Sequence, residues 1–600
     1  MANRRPGRCA AAALFAAVAA AAAGCAQVPT GGPVQQVGSG GSSQEQVYSQ
    51  PIPVGPGPGW LPTKIVSGFL AASASFADNH AVAREYLDST AQEAWRPGWA
   101  VTVVSAPPVA TPVGYFRQLA GQPQAREKVK VTGLPVATLS SNGQYLVSSG
   151  PPQSYYYYLV KDSTGQWRID TLPSNSQLLL TQADFQRVYQ PRNLYFVTNR
   201  SGHGLVPDPV FVPAEATNTE LATWLVNALL QDPVGWLSGA AVTGFPAHSK
   251  PIGQVRINGQ NATIDLGGKA VTARPQQLAQ MAAQLVWTLG SGSNAIQSVQ
   301  LQLNGRPVPV GGSPYQLLPM YHGWVPTQSA GSSLYFLGNG AVQALTGAGQ
   351  EGPGRVLPVP GAAGTTSAPT FSSIAVSPDR RWVAGIGAGG GIVYIGSLSH
   401  GAPLRQWRSP EGACTSLSWD AQGDLWVAAG DTVWMLPPGG GSEIPVMLSL
   451  PPGDQVTDFR VAPDGVQVAM IVTGTGRDPE RQVEFAAITY DGQSASVGKP
   501  LTIGSGLADP QELSWYGSDD LMVLAGSSSS AHLDEVPLNG GQPTPVPVGG
   551  GVPVSVAATS PQDGTADIAV GLSDGTIMIS ANLNGFEPTH ANGRAPVYPG

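Results

Sequence analysis

One pattern recurs through the C-terminal half of the chain: SSIAVSPDRRWVAGIG (372–387), TSLSWDAQGDLWVAAG (415–430), TDFRVAPDGVQVAMIV (457–472) and QELSWYGSDDLMVLAG (511–526). Each copy reads as a short strand, a polar turn and a second apolar strand. The strand starts Ile374, Leu417, Phe459 and Leu513 are 43, 42 and 54 positions apart, and a fifth copy starts 43 positions later, near Val556. A period of about 40 to 50 residues with several strands in each repeat predicts an all-β propeller.

The propeller is predicted to span residues 330–600 and to have five or six blades. The stretch SLYFLGNGAVQAL (333–345) precedes the first clear repeat and reads as an isolated hairpin. It is either a further blade or the set of outer strands that closes the ring with the C-terminus.

Recurrent side chains in the repeats have structural interpretations. Trp382 and Trp426 lie on second strands and are expected to pack between blades. Cys414 has no nearby thiol and is expected to be a small buried hydrophobe. The turns contain four aspartates: Asp379, Asp420, Asp464 and Asp519. Because each lies a full repeat from the next, we expect them to set turn geometry rather than to bind a metal.

The composition favours turn-rich β structure and argues against several functions. Glycine (76) and proline (55) make up about a fifth of the 600 residues, roughly twice their usual share. The net charge is −8 and no strongly basic block occurs, so nucleic acid is not an expected partner. Cys9, Cys25 and Cys414 are widely spaced, and the seven histidines show no metal-site spacing. No disulfide framework, metal site, cofactor or catalytic set is therefore expected.

Residues 191–312 show the clearest globular pattern, that of an α+β domain. Thr217 and Glu220 form a capping box ahead of an apolar helix face. QVRINGQNATIDL (254–266) reads as two strands around an Asn258-Gly259 turn. Pro275 starts a second helix, and SVQLQLNG (298–305) ends the pattern as a strand. This order of elements resembles the GerMN domain, first noted in a spore-germination lipoprotein, which implies binding or assembly at the cell envelope.

Residues 59–190 also read as an α+β domain. Pro62 opens a helix with apolar residues at helical spacing, and a second short helix is expected from Ala81 to Thr90. Strand-like runs follow, including YYYYLVKD (155–162) and QWRIDTLP (166–173) around a glycine turn. Helices followed by a sheet resemble the NTF2-like domains. The run Tyr155–Tyr158 is either a sugar-stacking platform or, as we favour, a half-buried strand, in which at most two tyrosines share a face.

The N-terminus has the features of an export signal. Arg4, Arg5 and Arg8 precede an apolar run too short to span a bilayer, and Ala22-Ala23-Gly24-Cys25 resembles the bacterial lipobox, with Ala22 in place of the usual Leu. Residues 1–24 are thus predicted to be a lipoprotein signal peptide, with lipidation at Cys25. Ordinary signal cleavage is the alternative, and the sequence leaves Sec and twin-arginine export open. Residues 25–58 are rich in Gly, Ser, Pro and Gln and are predicted to be a flexible linker.

The whole chain resembles the LpqB lipoproteins of actinobacteria. The resemblance rests on the order of the segments and on phrases such as GCAQVPTGGPVQ (24–35), AREYLDSTAQEAWRPG (83–98) and IAVSPDRRWVAGI (374–386). It implies a lipid-anchored protein on the extracytoplasmic face of the cell membrane. It further implies binding to the sensor domain of the kinase of the MtrA–MtrB two-component system, with effects on cell-wall homeostasis and division.

The residues themselves leave three functions open. The favoured one is a non-catalytic regulatory binding protein. The second is an envelope assembly factor that binds cell-wall polymer such as peptidoglycan. The third is a glycan-active enzyme, which would need two carboxylates about 5 to 9.5 Å apart. The repeat aspartates are its only evident candidates.

Overall fold

A computed structural model describes residues 53–600, except 96, 98–100, 116–125, 149, 174–177, 201–202, 234, 292–295, 326–332, 350–351, 400, 476–479, 493, 561–566, 581–582 and 584. All of these described residues belong to one compact unit, Gln44–Gly600. Across the described parts of the chain, no helix is both long and apolar enough to cross a bilayer.

The first domain begins with helices that pack on a sheet. Helix α1 (Pro62–Ala72) starts at the predicted proline and buries Ile65 and Phe69. The second predicted helix, Ala81–Thr90, is in fact two: α2 (Ala81–Arg84) and α3 (Ser89–Ala94). The break falls at Asp88, whose backbone N–H donates to the carbonyl of Ile169, 2.9 Å away, while its side chain caps α3. A bond to a distant strand therefore divides the helix, which helical spacing alone could not reveal.

The chain before α1 already lies against this domain. The hydroxyl of Tyr86 donates to the carbonyl of Val54 at 2.6 Å. The end of the predicted linker, residues 53–58, is therefore part of the folded surface, whereas residues 25–52 fall outside the described part of the chain.

Two four-stranded sheets complete the first domain, with orders β5-β4-β1-β8 and β2-β3-β6-β7. Their strands are β1 (Val101–Val104), β2 (Val109–Tyr115), β3 (Glu127–Gly133), β4 (Pro135–Leu139), β5 (Tyr145–Val147), β6 (Gln153–Lys161), β7 (Trp167–Thr171) and β8 (Leu178–Thr181). The tyrosine run lies on β6 and alternates as expected: Tyr157 is buried and Tyr156 is exposed. Helix α4 (Gln182–Val188) leads from β8 into the second domain.

The second domain confirms the local signals read from the sequence. Helix α5 (Asn218–Leu229) has the Thr217–Glu220 capping box, and helix α6 (Pro275–Gly290) starts at the predicted proline. The strands are β9 (Tyr189–Thr198), β10 (Leu205–Pro213), β11 (Ala241–Val242), β12 (Ser249–Pro251), β13 (Arg256–Asn258), β14 (Asn261–Gly268), β15 (Ser298–Leu303), β16 (Arg306–Pro307) and β17 (Gln316–Leu317). Strands β13 and β14 pair around Gly259, whose φ of 60° suits the predicted turn. Strands β14 and β15 run parallel and are connected through α6.

The C-terminal half is a propeller of six blades, counted over the described residues. Blade 1 combines β18 (Leu334–Gly338), β19 (Ala341–Gly349) and β20 (Gly352–Pro358) with the last strand of the chain, β42 (Arg594–Val597). Blade 2 contains β21 (Phe371–Val376), β22 (Trp382–Gly387), β23 (Ile392–Ser397) and β24 (Arg405–Arg408). Blade 3 contains β25 (Cys414–Trp419), β26 (Leu425–Ala429), β27 (Thr432–Leu436) and β28 (Ile444–Leu448).

The remaining three blades follow the same order. Blade 4 contains β29 (Gln455–Val461), β30 (Gln467–Thr473), β31 (Arg481–Asp491) and β33 (Leu501–Ile503). An extra strand, β32 (Ser494–Val497), pairs with the end of β31 and with β28, and it lengthens this repeat. Blade 5 contains β34 (Pro510–Tyr516), β35 (Asp520–Ala525), β36 (His532–Pro537) and β37 (Thr544–Val546). Blade 6 contains β38 (Pro553–Ala558), β39 (Ile568–Leu572), β40 (Thr576–Ser580) and β41 (Glu587–Asn592).

Ring closure settles the two interpretations of the early hairpin. Strand β18 pairs with β42 at Tyr335↔Val597 and Leu337↔Arg594. The hairpin of β18 and β19 therefore belongs to a blade of its own, and that same blade closes the ring with the C-terminus. Both alternatives are correct together, and the blade count is the larger of the two expected numbers.

Three of the four turn aspartates act as expected. The Oδ1 atoms of Asp379, Asp420 and Asp464 accept hydrogen bonds from backbone N–H groups two residues ahead, at 2.8 to 3.0 Å. Asp519 differs, because its Oδ2 accepts from Asn193 of the second domain at 2.6 Å. Asp519 thus bonds to another domain, which the repeat pattern did not predict.

The other recurrent side chains lie in the core. Trp426 is fully buried and stacks on Phe459 of the next blade, with ring centroids 5.8 Å apart. Trp382 is half-buried beside the core between blades 2 and 3. Cys414 is buried in that same core, and burial raises the pKa of its thiol.

Candidate functional site

Cys25, the predicted lipidation residue, lies outside the described residues, so its modification stays a prediction. The sequence predicted no catalytic, cofactor-binding or metal-binding residue. Among the described residues, no group of three or more His, Cys, Asp or Glu side chains is placed to hold a metal ion. The structural features that bear on function are the propeller channel, the junctions between domains and two surfaces.

The innermost strands of the propeller are joined by side chains that line its channel. The N–H of Phe459 donates to Ser416 Oγ at 3.1 Å, and the N–H of Leu513 donates to Asp458 Oδ2 at 2.9 Å. Glu512 Oε2 accepts from the N–H of the following repeat in the same way, at 3.1 Å. The innermost strand of a blade is an edge strand, so the N–H groups along its free edge have no hydrogen-bond partner within the blade's own sheet. A polar side chain at one position of blades 3, 4 and 5 supplies the missing acceptor to the next blade.

Arg460 contacts the channel side chains of three neighbouring blades. Its Nη1 donates to Ser416 Oγ at 2.7 Å and to the Leu417 carbonyl at 2.8 Å, and lies 3.1 Å from Asp458 Oδ1. Its Nη2 lies 3.7 Å from Glu512 Oε1. Burial raises the pKa of Glu512 to about 7, although Arg460 opposes the shift.

The channel has little room for a ligand. Its free volume beside Arg460 and Glu512 is about 40 Å³, whereas pockets for small molecules usually measure about 300 to 1,000 Å³. The two channel carboxylates, Asp458 and Glu512, are already bonded to the backbone of neighbouring blades. These carboxylates therefore hold blades together and have no space for a sugar ring beside them.

The second domain and the propeller share one apolar core. Trp236 packs edge-on against Phe485 of blade 4, with ring centroids 4.7 Å apart. The same cluster of buried side chains continues through α5 and α6 on one side and through blades 4 and 5 on the other.

Charged side chains flank this apolar junction. The guanidinium of Arg200 lies 3.5 Å from Asp420 and 3.7 Å from Asp424, and it covers the ring of Tyr490 at 3.7 Å from the centroid. Asp420 is completely buried. The cation, the two carboxylates and the ring together fix the second domain against blades 3 and 4.

Asp208 marks the place where the first and second domains meet. Its Oδ1 accepts from Trp236 Nε1 at 3.0 Å and from Gln144 Nε2, of the first domain, at 3.4 Å. Burial raises the pKa of Asp208 to about 7, and these two hydrogen bonds oppose the shift. Trp236 thus contacts the propeller with its ring and the buried carboxyl with its nitrogen.

Two surfaces remain as possible binding sites. One is a cavity of about 680 Å³ on the second domain, whose polar lining is His248, Lys269, Thr272, Arg274, Gln276 and Gln277. The other is the outer side of the β2-β3-β6-β7 sheet, where Lys128 lies over the ring of Tyr156 at 4.0 Å and near that of Tyr158 at 5.5 Å.

The sequence reasoning missed the junction residues and the channel residues for different reasons. Arg200, Asp208 and Trp236 contact partners far away in sequence, and no local signal marks them. The channel acceptors had a signal: Ser416, Asp458 and Glu512 each stand one position before the residue that starts their repeat.

Comparisons with known proteins match all three domains. Residues 55–186 match the sequence profile of the lipoprotein LpqB N-terminal domain, and residues 349–599 match that of the lipoprotein LpqB beta-propeller domain. Residues 193–309 match the Germane profile, described as sporulation and spore germination. Among solved structures, TolB from Acinetobacter baumannii superimposes with a TM-score of 0.33 at 16% identity over 47% of this chain and 69% of that one.

Curated relatives extend over nearly the whole chain. The lipoprotein LpqB of Thermobifida fusca is 31% identical over 99% of both chains. The lipoproteins LpqB of Streptomyces coelicolor and Mycobacterium tuberculosis are 29% and 28% identical, over 100% and 96% of this chain and 98% and 97% of their own. Their shared name implies a membrane-associated lipoprotein. With its segments in the same order and this similarity over its full length, the chain belongs to the LpqB lipoprotein family.

Proposed function

We propose that the protein is a lipoprotein, anchored through Cys25 to the extracytoplasmic face of the cell membrane, that binds and modulates the sensor histidine kinase of an MtrA–MtrB type two-component system. Through this kinase it would act on cell-wall homeostasis and division. The observation that carries the proposal is the core shared by the second domain and the propeller. A rigid pair of domains offers a broad, fixed surface to a protein partner, and the channel carboxylates are occupied by structural bonds.

Binding to the kinase can be tested directly. The exported chain without its signal peptide, residues 26–600, is immobilised and mixed with the purified sensor domain of the kinase from the same organism. We expect saturable binding, and deletion of the gene should change the phosphorylation of the response regulator. Absence of binding together with unchanged phosphorylation would refute the proposal.

Anchoring is tested by Cys25→Ser. The thiol is the atom to which a lipobox enzyme attaches its diacylglycerol, and a serine hydroxyl is not accepted in its place. We expect the variant to leave the membrane fraction and to lose incorporation of a labelled fatty acid. Retention in the membrane, with no label on the unmodified protein, would contradict the prediction.

A second candidate function, binding of cell-wall polymer, is favoured by the cavity on the second domain. Its lining combines Lys269 and Arg274 with the amides of Gln276 and Gln277, which suits a polymer that carries hydroxyl and carboxylate groups. Co-sedimentation of residues 26–600 with purified peptidoglycan tests it, with Arg274→Gln expected to weaken binding. A glycan-active enzyme is the least favoured function, and hydrolysis of any member of a glycan panel would revive it.

We also propose that the first domain is NTF2-like and serves as a binding domain. In support, helix α1 packs Phe69 against Tyr157 of the β2-β3-β6-β7 sheet, with ring centroids 6.2 Å apart. A solved structure of this domain that superimposes on NTF2-like folds would establish it.

A further inference from the structure

One side of the β2-β3-β6-β7 sheet carries two lysines and two tyrosines, of which Tyr156 is exposed and Lys128, Lys130 and Tyr158 are half-buried. In the register of the strands, Lys128 pairs with Tyr158, and Lys130 pairs with Tyr156. Val109 of the edge strand lies on the same side and is 63% exposed, and Val113 of the same strand is 39% exposed. We call these six side chains the lysine–tyrosine face. The opposite side of the sheet is different, because Val129, Val131 and Leu159 are buried in the domain core.

The charge on this face is positive although the protein as a whole is acidic. The outward strand positions that the structure describes carry one acidic residue, Asp170 of β7, next to the inward-facing Ile169. Two carboxylates near its edge are already paired, Asp170 with Arg126 and Asp162 with Arg168. Lys128 and Lys130 are the two lysines of this face, on a chain whose overall net charge is −8.

Lysine, tyrosine and exposed valine together match the chemistry of an anionic membrane surface. Tyrosine rings favour the headgroup region, where the ring is partly desolvated and the hydroxyl stays wet. Lysine side chains extend their ammonium groups to lipid phosphates while the stems cover apolar surface. The contact of Lys128 with two tyrosine rings holds the charge and the aromatic groups in one layer.

We propose that the lysine–tyrosine face lies against anionic lipid headgroups and orients the anchored protein on the membrane. This inference rests on the proposed membrane anchorage. The first domain is the one that follows Cys25 most closely along the chain, so an anchor at Cys25 keeps this domain near the bilayer. A tether raises the local concentration of the bilayer to the millimolar range, at which a weak contact becomes populated.

The test uses vesicles and protein without the anchor. Residues 26–600, produced without acylation, are co-sedimented with vesicles of phosphatidylglycerol and phosphatidylcholine (3:7) and with phosphatidylcholine alone. We expect weak binding to the anionic vesicles only, lost at high salt. Because each lysine near an anionic surface contributes about a fivefold gain, the double variant Lys128→Gln/Lys130→Gln should bind roughly 30-fold more weakly.

A matched control separates a defined face from general charge. The variant Lys250→Gln/Lys499→Gln removes two exposed lysines from the other two domains and should leave vesicle binding within about twofold of the unmodified protein. Tyr156→Ser should weaken binding without any change in charge. Thermal unfolding of each variant verifies that it is folded.

The outcomes are distinct. Equal losses in the two double variants, or no binding to anionic vesicles at any salt concentration, would overturn the inference. So would competition by free glycerol phosphate at millimolar concentration, since the site would then recognise a soluble anion rather than a lipid surface. Failure of the kinase pull-down affects only the proposed partner, and retention of Cys25→Ser in the membrane affects only the proposed anchor.

Discussion

The second domain meets the propeller and the first domain through junctions that are built differently. The second domain and the propeller share a continuous apolar core, flanked by Arg200 and its carboxylates. The first domain has a core of its own, to which the second domain contributes Phe211. Between these two domains the described contacts include polar ones: the Gln144–Asp208 bond and a bond from the Phe211 N–H to the Gly143 carbonyl at 2.7 Å. The difference suggests that the second domain and propeller unfold together and that the first domain can respond separately.

The strongest test of the shared core is Phe485→Ala. Phe485 is 2% exposed and touches Trp236, so its loss should lower the free energy of unfolding by about 3–5 kcal/mol. It should also speed amide hydrogen exchange around Trp236 in the second domain. The matched control is Phe459→Ala, an equally buried ring that stacks within the propeller. If both variants change exchange around Trp236 equally, the junction is not one cooperative core.

A smaller effect is expected from Arg200→Ala. The substitution leaves the fully buried Asp420 without its cation, although Trp426 and two backbone N–H groups still donate to it. We expect a loss of about 1–3 kcal/mol in denaturant unfolding. Arg381→Ala removes an ion pair whose two side chains are both largely exposed and should change stability by less than about 0.5 kcal/mol. Similar losses in the two variants would show that Arg200 is an ordinary surface charge.

The smallest effect concerns pH at the first junction. The pKa of Asp208 is raised to about 7 by burial, whereas an aspartate in an unfolded chain titrates near 4. Between these values the folded state holds a proton that the unfolded state has lost, so this residue's contribution to stability falls as the pH rises from about 4 to about 7. When the pH is raised from 5 to 8, the Tm of Asp208→Asn should therefore rise relative to that of the unmodified protein by about 2–4 °C.

Asp574→Asn is the control for that pH series. Hydrogen bonds from Thr576 lower the pKa of Asp574, so this carboxylate is ionised in the folded and the unfolded state from pH 5 to pH 8, and the effect of Asp574→Asn should not change across that range. A flat difference between Asp208→Asn and the unmodified protein across the same range would contradict the burial argument.

Local signals in the sequence predicted much of the fold. The capping box at Thr217, the turn at Asn258-Gly259 and the helix starts at Pro62 and Pro275 depend on neighbours a few residues away, and all four are present. The break at Asp88 was not predicted, because it depends on a bond to Ile169.

The functional surfaces were harder to predict for the same physical reason. Arg200 meets Asp420 only after two domains have folded against each other, and no spacing in the sequence marks that pair. The lysine–tyrosine face could be predicted only in part. The alternation of Tyr155–Tyr158 follows from strand geometry, whereas the pairing of β6 with the lysines of β3 depends on the sheet register.

The strand that closes the ring also sets the order in which the protein can be completed. Blade 1 needs β42, so Tyr335 can complete its sheet only by pairing with Val597, a residue far away along the chain. A chain that lacks β42 keeps an open edge on β18, and an exposed edge strand favours aggregation. Strand β42 therefore protects β18 as well as closing the ring, and a chain truncated before Arg594 should aggregate more readily than the unmodified protein.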